Sequence, residues 1–184
     1  MPMISYGSEI SNNLSISLGS WMENYNNSQM NREGEMKKLE FNPYISVSYH
    51  KSLKNEFSFV PEIGYVFQRE NEGIKKNIFY LRSDFTHPIS QSFFARLGTS
   101  FITTMISSNG GEKELQNGDS TEIYYLPNET SYAYNQTLDI GLEYKGDDLN
   151  MRFTTYLFSL DDPQRQSINI SLSLDFYLGK KENR

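Results

Sequence analysis

The sequence predicts an all-β protein, an up-and-down antiparallel barrel of eight strands. Three observations predict it. Apolar and polar residues alternate strictly over eight segments. The 184 residues include 13 Tyr and 12 Phe, which favour strands, whereas Ala, the best helix former, occurs only at Ala95 and Ala133. The connections between segments alternate between long and short, as an up-and-down barrel with two unlike ends requires.

The alternation also bounds each element. The strands are predicted near 12–23, 39–50, 56–68, 77–86, 93–106, 132–145, 149–158 and 168–178. The connections 24–38 and 107–131 are long, 69–76 and 161–166 are medium, and 51–55, 87–92 and 146–148 are short. Several strands reach ten residues, about the length that a tilted strand needs to cross a bilayer. Residues 1–11 are expected to form an N-terminal extension, residues 12–178 the barrel and residues 179–184 a polar C-terminal tail.

Composition excludes several function classes. A net charge of −6 argues against a general nucleic-acid binder, which needs basic surface to neutralise phosphates. The absence of cysteine excludes disulfides, Cys-zinc sites and Cys nucleophiles. Met1-Pro2-Met3 starts neither a basic nor an apolar leader segment, so we expect either a cytoplasmic chain or a mature chain from which a signal peptide has been removed.

The polarity of the two faces predicts which one points inward. One face carries Ser, Gly, Asn, Thr and isolated charges, and nine of the ten lysines are predicted in loops or the tail, which is unlike a water-facing sheet. The other face is apolar, and its aromatic residues fall near both strand ends, as in the lipid-facing girdles of transmembrane barrels. The predicted girdle residues are Phe41, Tyr49, Phe57, Tyr65, Phe67, Phe79, Phe85, Phe93, Phe101, Tyr132, Tyr134, Tyr144 and Phe176.

In this pattern the chain resembles the small eight-stranded outer-membrane barrels, such as the transmembrane domain of OmpA and the barrel OmpX. The resemblance covers roughly residues 12–178 and rests on pattern, not on a signature motif. It implies the outer membrane of a Gram-negative bacterium, with short periplasmic turns and longer extracellular loops, and membrane lipid and lipopolysaccharide as partners. Family members often end at an aromatic residue, whereas here Leu178 is followed by Gly179 and a polar tail.

Charged residues on the inward face are the main candidate functional set. Glu62 and Arg82 are predicted to face each other, and Arg96, Asp139, Arg152 and Asp175 alternate in sign along the last four strands. We interpret the set as a lumenal ion-pair network that plugs a narrow barrel, because eight strands leave little more room than side chains fill. The alternative is a charged lumen that passes ions or small solutes. The full set is Glu40, Glu62, Arg82, Asp84, Arg96, Asp139, Glu143, Arg152 and Asp175.

Other candidate sites are weaker, and we expect no catalytic residues, no cofactor and no metal. His50-Lys51-Ser52 contains a His/Ser pair but falls in a predicted periplasmic turn, and His87 before Pro88 is expected in a turn. The acidic pairs at 147–148 and 161–162 are expected to be solvated turns. Tyr124, Tyr125 and Leu126 are expected either to contact a partner or to extend the strands.

Small and polar residues interrupt the otherwise apolar outer face. They form a possible oligomer interface, although we expect a monomer more than a homo-oligomer. The residues are Ser83, Ala95, Thr99, Thr103 and Gln136. The expected role is therefore non-enzymatic, in membrane structure or surface interaction. A small pore and a soluble lipocalin-like ligand-binding barrel are the alternatives.

Overall fold

A computed structural model describes residues 13–23, 40–71, 74–117, 120–146, 149–160 and 167–178. The predicted N-terminal extension, C-terminal tail and 24–38 loop lie outside the described residues. The strands are β1 Leu14–Glu23, β2 Glu40–Tyr49, β3 Lys51–Ser52, β4 Ser58–Asn71, β5 Ile74–Pro88, β6 Phe93–Ser107, β7 Glu112–Asn117, β8 Ser120–Tyr125, β9 Ser131–Lys145, β10 Asn150–Phe158 and β11 Ser167–Tyr177. Across these ranges we find no helix long and apolar enough to cross a membrane.

Eight long strands close into a barrel. The hydrogen-bonded order is β2-β1-β11-β10-β9-β6-β5-β4, and β2 also pairs with β4, which joins the two edges. Every pairing is antiparallel. The two residues of β3 continue the line of β2 past His50 and pair with β4. This topology confirms the prediction of an all-β, eight-stranded up-and-down barrel.

Four predicted connections contain more strand than expected: β3 lies in 51–55, β5 extends into 87–92, and the two largest differences are in 69–76 and 107–131. The predicted loop 69–76 is mostly strand, because β4 and β5 pair as far as Asn71 and Ile74, after a register shift between Val66 and Arg69. Lys75, Lys76 and His87 therefore lie in β5, Lys51 lies in β3 and Lys113 lies in β7. The predictions that placed these lysines in loops and His87 in a turn are wrong. Backbone pairing continues past the apolar segment because a hairpin ladder does not need apolar side chains.

The second difference is a hairpin in the long connection 107–131. Strands β7 and β8 pair from Glu112↔Tyr125 to Asn117↔Ser120 and form a sheet separate from the barrel. Gly110 and Gly111 take positive φ values of 72° and 108°, a conformation that favours glycine, at the base of this hairpin. Tyr125 therefore extends neither β6 nor β9 directly but belongs to this additional hairpin.

The polarity of the barrel is reversed with respect to a water-soluble protein. Charged, hydroxyl-bearing and aromatic residues fill the interior, whereas Leu, Ile and Phe are exposed on the outside. Exposed aromatic residues cluster near each end, for example Tyr134 and Tyr144 on β9. Ten residues separate these two tyrosines, which spans about 25 Å along the axis of a barrel with typical strand rise and tilt. That height is about the apolar band of an outer-membrane barrel.

Candidate functional site

Buried charges fill the middle of the barrel interior. Strand alternation puts them there, because each shares the parity of the other buried residues of its strand. Every one of the predicted inward charges whose side chain is described has at most a few per cent exposure. They are Glu62, Arg82, Asp84, Arg96, Asp139, Glu143, Arg152 and Asp175, called the charged network below. The side chain of Glu40 lies outside the described residues.

Arg152 and Glu62 form the central pair of the charged network. Arg152 donates to both carboxylate oxygens of Glu62, over 2.6 and 3.1 Å, and to Ser17 Oγ over 3.0 Å. Its distance to Asp175, the neighbour on β11, is 3.6 Å. Strands β10 and β4 are not adjacent, so this contact crosses the lumen and ties opposite walls of the barrel together.

Arg82 joins this pair to the next group of charges. Its guanidinium lies 3.8 Å from Glu62, forms an ion pair with Asp84 and lies 3.6 Å from Asp139. Asp139 accepts hydrogen bonds from the hydroxyls of Ser100 and Thr137. The prediction that Glu62 and Arg82 face each other agrees with their direct cross-strand register.

Arg96 extends the charged network to the short-turn end. It donates to Asp84 from Nε over 3.0 Å and to Glu143 from Nη1 over 2.8 Å. Glu143 also accepts from Tyr177 over 3.2 Å and lies 3.5 Å from Lys145. Arg96 thus pairs with Asp84 and Glu143. Asp139 lies opposite Gly98 in the β6–β9 register and belongs to the same network through Arg82.

Aromatic and aliphatic side chains fill the lumen on the long-loop side of the charges. Sequence reasoning missed this aromatic cluster because it expected small polar residues inside. Trp21 packs against the rings of both Tyr80 and Tyr156, with centroid separations of 5.8 and 4.4 Å. The members are Trp21, Tyr44, Val66, Ile78, Tyr80, Ile102 and Tyr156. A signal was available for Trp21, which shares the parity of Ser15 and Ser17.

The tyrosines connect the aromatic cluster to the charged network. Tyr80 donates to Glu62 over 2.7 Å, and Arg82 donates to the Tyr156 hydroxyl over 3.2 Å. Tyr80 also lies over its cross-strand neighbour Gly64, where a Cβ atom would overlap the ring. The lumen is therefore occupied by interlocking side chains from several strands.

His50 lies at the short-turn end, between β2 and β3. Its Nε2 is 3.3 Å from Ser15 Oγ and 3.4 Å from Ser48 Oγ. These are the nearby hydroxyls, whereas Ser52, the partner considered from sequence, is an exposed strand residue. Burial lowers the pKa of His50 to about 4, against an opposing effect of Glu143 and with a smaller contribution from Arg96. The ring packs 5.1 Å from Tyr177 and caps the short-turn end of the lumen.

The possible oligomer face lies on the outer wall, as its alternation requires. Thr99 donates to the backbone oxygen of Thr137 over 2.7 Å, and Gln136 Nε2 lies 3.5 Å from Thr99 Oγ1. Ala95 is exposed, and Ser83 and Thr103 are half-buried. These contacts give two of the polar groups partners within the chain, and a subunit interface here stays a prediction.

Metal ligands are not gathered in the part of the chain that the structure describes. Within it, no group of three or more His, Asp or Glu side chains is placed to hold an ion. The acidic pairs at 147–148 and 161–162 lie outside the described residues.

Comparisons with known proteins concern the fold alone. No protein-family model matches the chain, and no curated protein matches it. Among solved structures, the chain is similar to Ail, the attachment invasion locus protein of Yersinia pestis. The identity is 14%, the TM-score is 0.45, and the match covers 90% of this chain and 97% of Ail.

Two further structures are similar at the same level. The N-terminal β-barrel domain of Pseudomonas aeruginosa OprF has 11% identity and a TM-score of 0.46, over 88% of this chain and 96% of that one. Neisserial surface protein A has 11% identity and a TM-score of 0.45, over 88% and 92%. The closed eight-stranded topology of the chain itself confirms the barrel fold predicted from its sequence.

Proposed function

We propose that the chain is an integral outer-membrane β-barrel of a Gram-negative bacterium with a non-enzymatic role in membrane structure or surface interaction. The observation that carries the proposal is the reversed polarity of the barrel. Phe41, Leu81, Leu97 and Phe101 are each at least half exposed, whereas Arg152 and Glu143 are buried. Apolar surface continuous around a barrel far exceeds the few hundred Å² that soluble monomers expose. Hydrocarbon around the barrel removes the free-energy cost of exposing this apolar surface to water.

The filled lumen supports a structural role over conduction. The charged network and the aromatic cluster occupy successive levels of the interior, and Trp21, Arg152, Tyr80 and Tyr156 have essentially no exposed surface. Passage of an ion would require separating buried ion pairs, which is costly when one partner is left uncompensated. A soluble lipocalin-like barrel would have the opposite polarity.

The long-loop end supports a surface-interaction role. The β7–β8 hairpin stands apart from the barrel sheet, and Ile123 and Tyr125 on it are exposed. Exposed apolar and aromatic side chains on a protruding hairpin are typical of contact with a partner, and lipopolysaccharide is the lipid expected on that side.

Two measurements test the proposal. The purified chain should require detergent and migrate differently on gels before and after boiling, as folded outer-membrane barrels do. A monodisperse monomer in buffer without detergent would overturn membrane integration. In planar bilayers we expect no stable large channel, and regular nanosiemens-scale steps would overturn the closed lumen.

A further inference from the structure

A basic and apolar patch lies at the short-turn end of the barrel, around the connection from β3 to β4. Its members are Lys51, Leu53, Lys54, Phe57 and His87, called the turn patch below. All five side chains are exposed. None of them belongs to the charged network or to the aromatic cluster, so the proposed role of the lumen leaves the turn patch unexplained.

The backbone holds the turn patch in a defined shape. Leu53 N donates to Phe57 O over 2.7 Å, and Phe57 N donates to Lys54 O over 3.4 Å. Asn55 and Glu56 between them have φ values of 58° and 64°. Two central residues with positive φ are the signature of a type I′ hairpin turn, which is a tight connection. Lys54 therefore lies in a compact turn, and Lys51 lies in the short strand β3 that leads into it.

The turn patch continues the outward apolar face of the barrel. Lys51 pairs directly with Phe59, and paired residues share a face of the sheet. Phe59 contacts Phe85 at 5.4 Å, and Phe57 stacks on His87 at 4.5 Å between ring centroids. Lys51 thus lies at the end of the row of lipid-facing aromatic rings, where hydrocarbon gives way to headgroups.

The positive charge of the turn patch favours an anionic ligand. Among the residues that the structure describes, neither Lys51 nor Lys54 forms an ion pair, and Glu56 is the one acid in this turn. A lysine near a membrane surface attracts anionic headgroups, with its apolar stem lying along apolar surface. Leu53 and Phe57 beside it supply contact for the first carbons of the acyl chains.

We infer that the turn patch binds the headgroup of an anionic phospholipid in the leaflet at the short-turn end of the barrel. The inference rests on the proposed membrane insertion and adds a lipid preference to it. A zwitterionic headgroup fits less well because its own ammonium group competes with Lys51 and Lys54 for the phosphate. Continuity with the lipid-facing rings favours a lipid over a protein as the occupant.

The test is a competition between two lipids. The full chain in detergent micelles is titrated with equimolar phosphatidylglycerol and phosphatidylethanolamine, and native mass spectrometry gives the ratio of bound species. We expect the wild type to retain phosphatidylglycerol preferentially. In the double variant Lys51→Gln/Lys54→Gln the ratio should fall by on the order of fivefold per lysine. Glu56→Gln should raise it, because it removes the opposing charge of the same turn.

Lys75→Gln is the matched control, since Lys75 is an exposed lysine at the opposite end of the barrel. An equal fall in Lys75→Gln, or no fall in the double variant, overturns the turn patch as the lipid site. Preferential binding that Glu56→Gln leaves unchanged also counts against it. Heat-modifiable migration of each variant verifies folding, and failure of the wild type itself to insert into lipid refutes the proposed function instead.

Discussion

Replacing Arg152 by Met tests whether the charged network holds the barrel together. Met keeps most of the side-chain length and removes the charge, so the carboxylate of Glu62 loses the two hydrogen bonds of 2.6 and 3.1 Å. Breaking a buried ion pair from one side costs about 3–5 kcal/mol. Glu62 retains its hydrogen bond from Tyr80 at 2.7 Å and Arg82 at 3.8 Å, so we expect about 3 kcal/mol, the lower end of that range.

Double-mutant cycles then identify the partner. Glu62→Gln removes the stranded charge, and its coupling to Arg152→Met should be about 2 kcal/mol. Asp175→Asn is the matched control, because Asp175 lies 3.6 Å from Arg152 without a hydrogen bond. Its coupling should stay below about 1 kcal/mol.

The chain supplies its own probe for these measurements. Trp21 is its one tryptophan, and it is buried within the aromatic cluster. Urea unfolding in lipid vesicles, followed by Trp21 fluorescence, gives the free energy of unfolding of each variant. A cost of Arg152→Met below about 1 kcal/mol, or stronger coupling to Asp175 than to Glu62, would refute the reasoning.

Four further outcomes are expected. Gly64→Ala should lower the free energy of unfolding by about 1–3 kcal/mol, because the added methyl displaces the Tyr80 ring; an unchanged midpoint in urea would contradict this. Glu56→Gly should raise the free energy of unfolding by up to about 1 kcal/mol, because Glu56 has a φ of 64°, which glycine adopts more readily. A lower free energy of unfolding in this variant would argue against backbone strain at Glu56. His50 is neutral when folded, with a pKa of about 4, but binds a proton near pH 6.5 when unfolded. Stability should therefore fall between pH 6.5 and 4, and less so in His50→Asn; equal pH profiles would disprove this. Native mass measurement in detergent should show a monomer that Thr99→Trp leaves unchanged, whereas an oligomer lost in Thr99→Trp would establish the outer-wall interface.

Strand positions were predictable because successive residues of each strand point alternately to the lipid and to the lumen, which gives a polar and an apolar face. This alternation is less informative where both faces of a strand carry large apolar side chains. In β5, Ile78 and Tyr80 point inward and Phe79 and Leu81 outward, so parity gives the direction of Ile78 but composition does not. Beyond the apolar band the pattern ends while pairing continues, which is why the β4–β5 strand ends were predicted as loop.

The partners within the charged network were less predictable than its members. Parity placed Arg152 and Glu62 inside the barrel, but sequence adjacency relates a residue only to neighbouring strands. The bond between them spans from β10 to β4 and depends on the diameter of the closed barrel. The side chain of Arg152 is long enough to reach Glu62 on the opposite wall as well as its neighbour Asp175. The spacing of residues along the chain does not predict which of the two carboxylates it bonds.

The barrel can close only when its last strand, β11, pairs with its first strand, β1. Ser15 is the cross-strand partner of Tyr177, so this pairing joins residues separated by nearly the whole length of the chain. All other wall contacts except those of β1 with β2 and β6 with β9 join strands linked by short or medium connections. Closing the largest loop carries the largest entropic cost, and it is recovered only when the final edge is paired. A nascent chain that lacks β11 therefore has open edges on β1 and β10, each able to pair with another molecule. The seam between the two terminal strands is thus the step at which folding and aggregation compete.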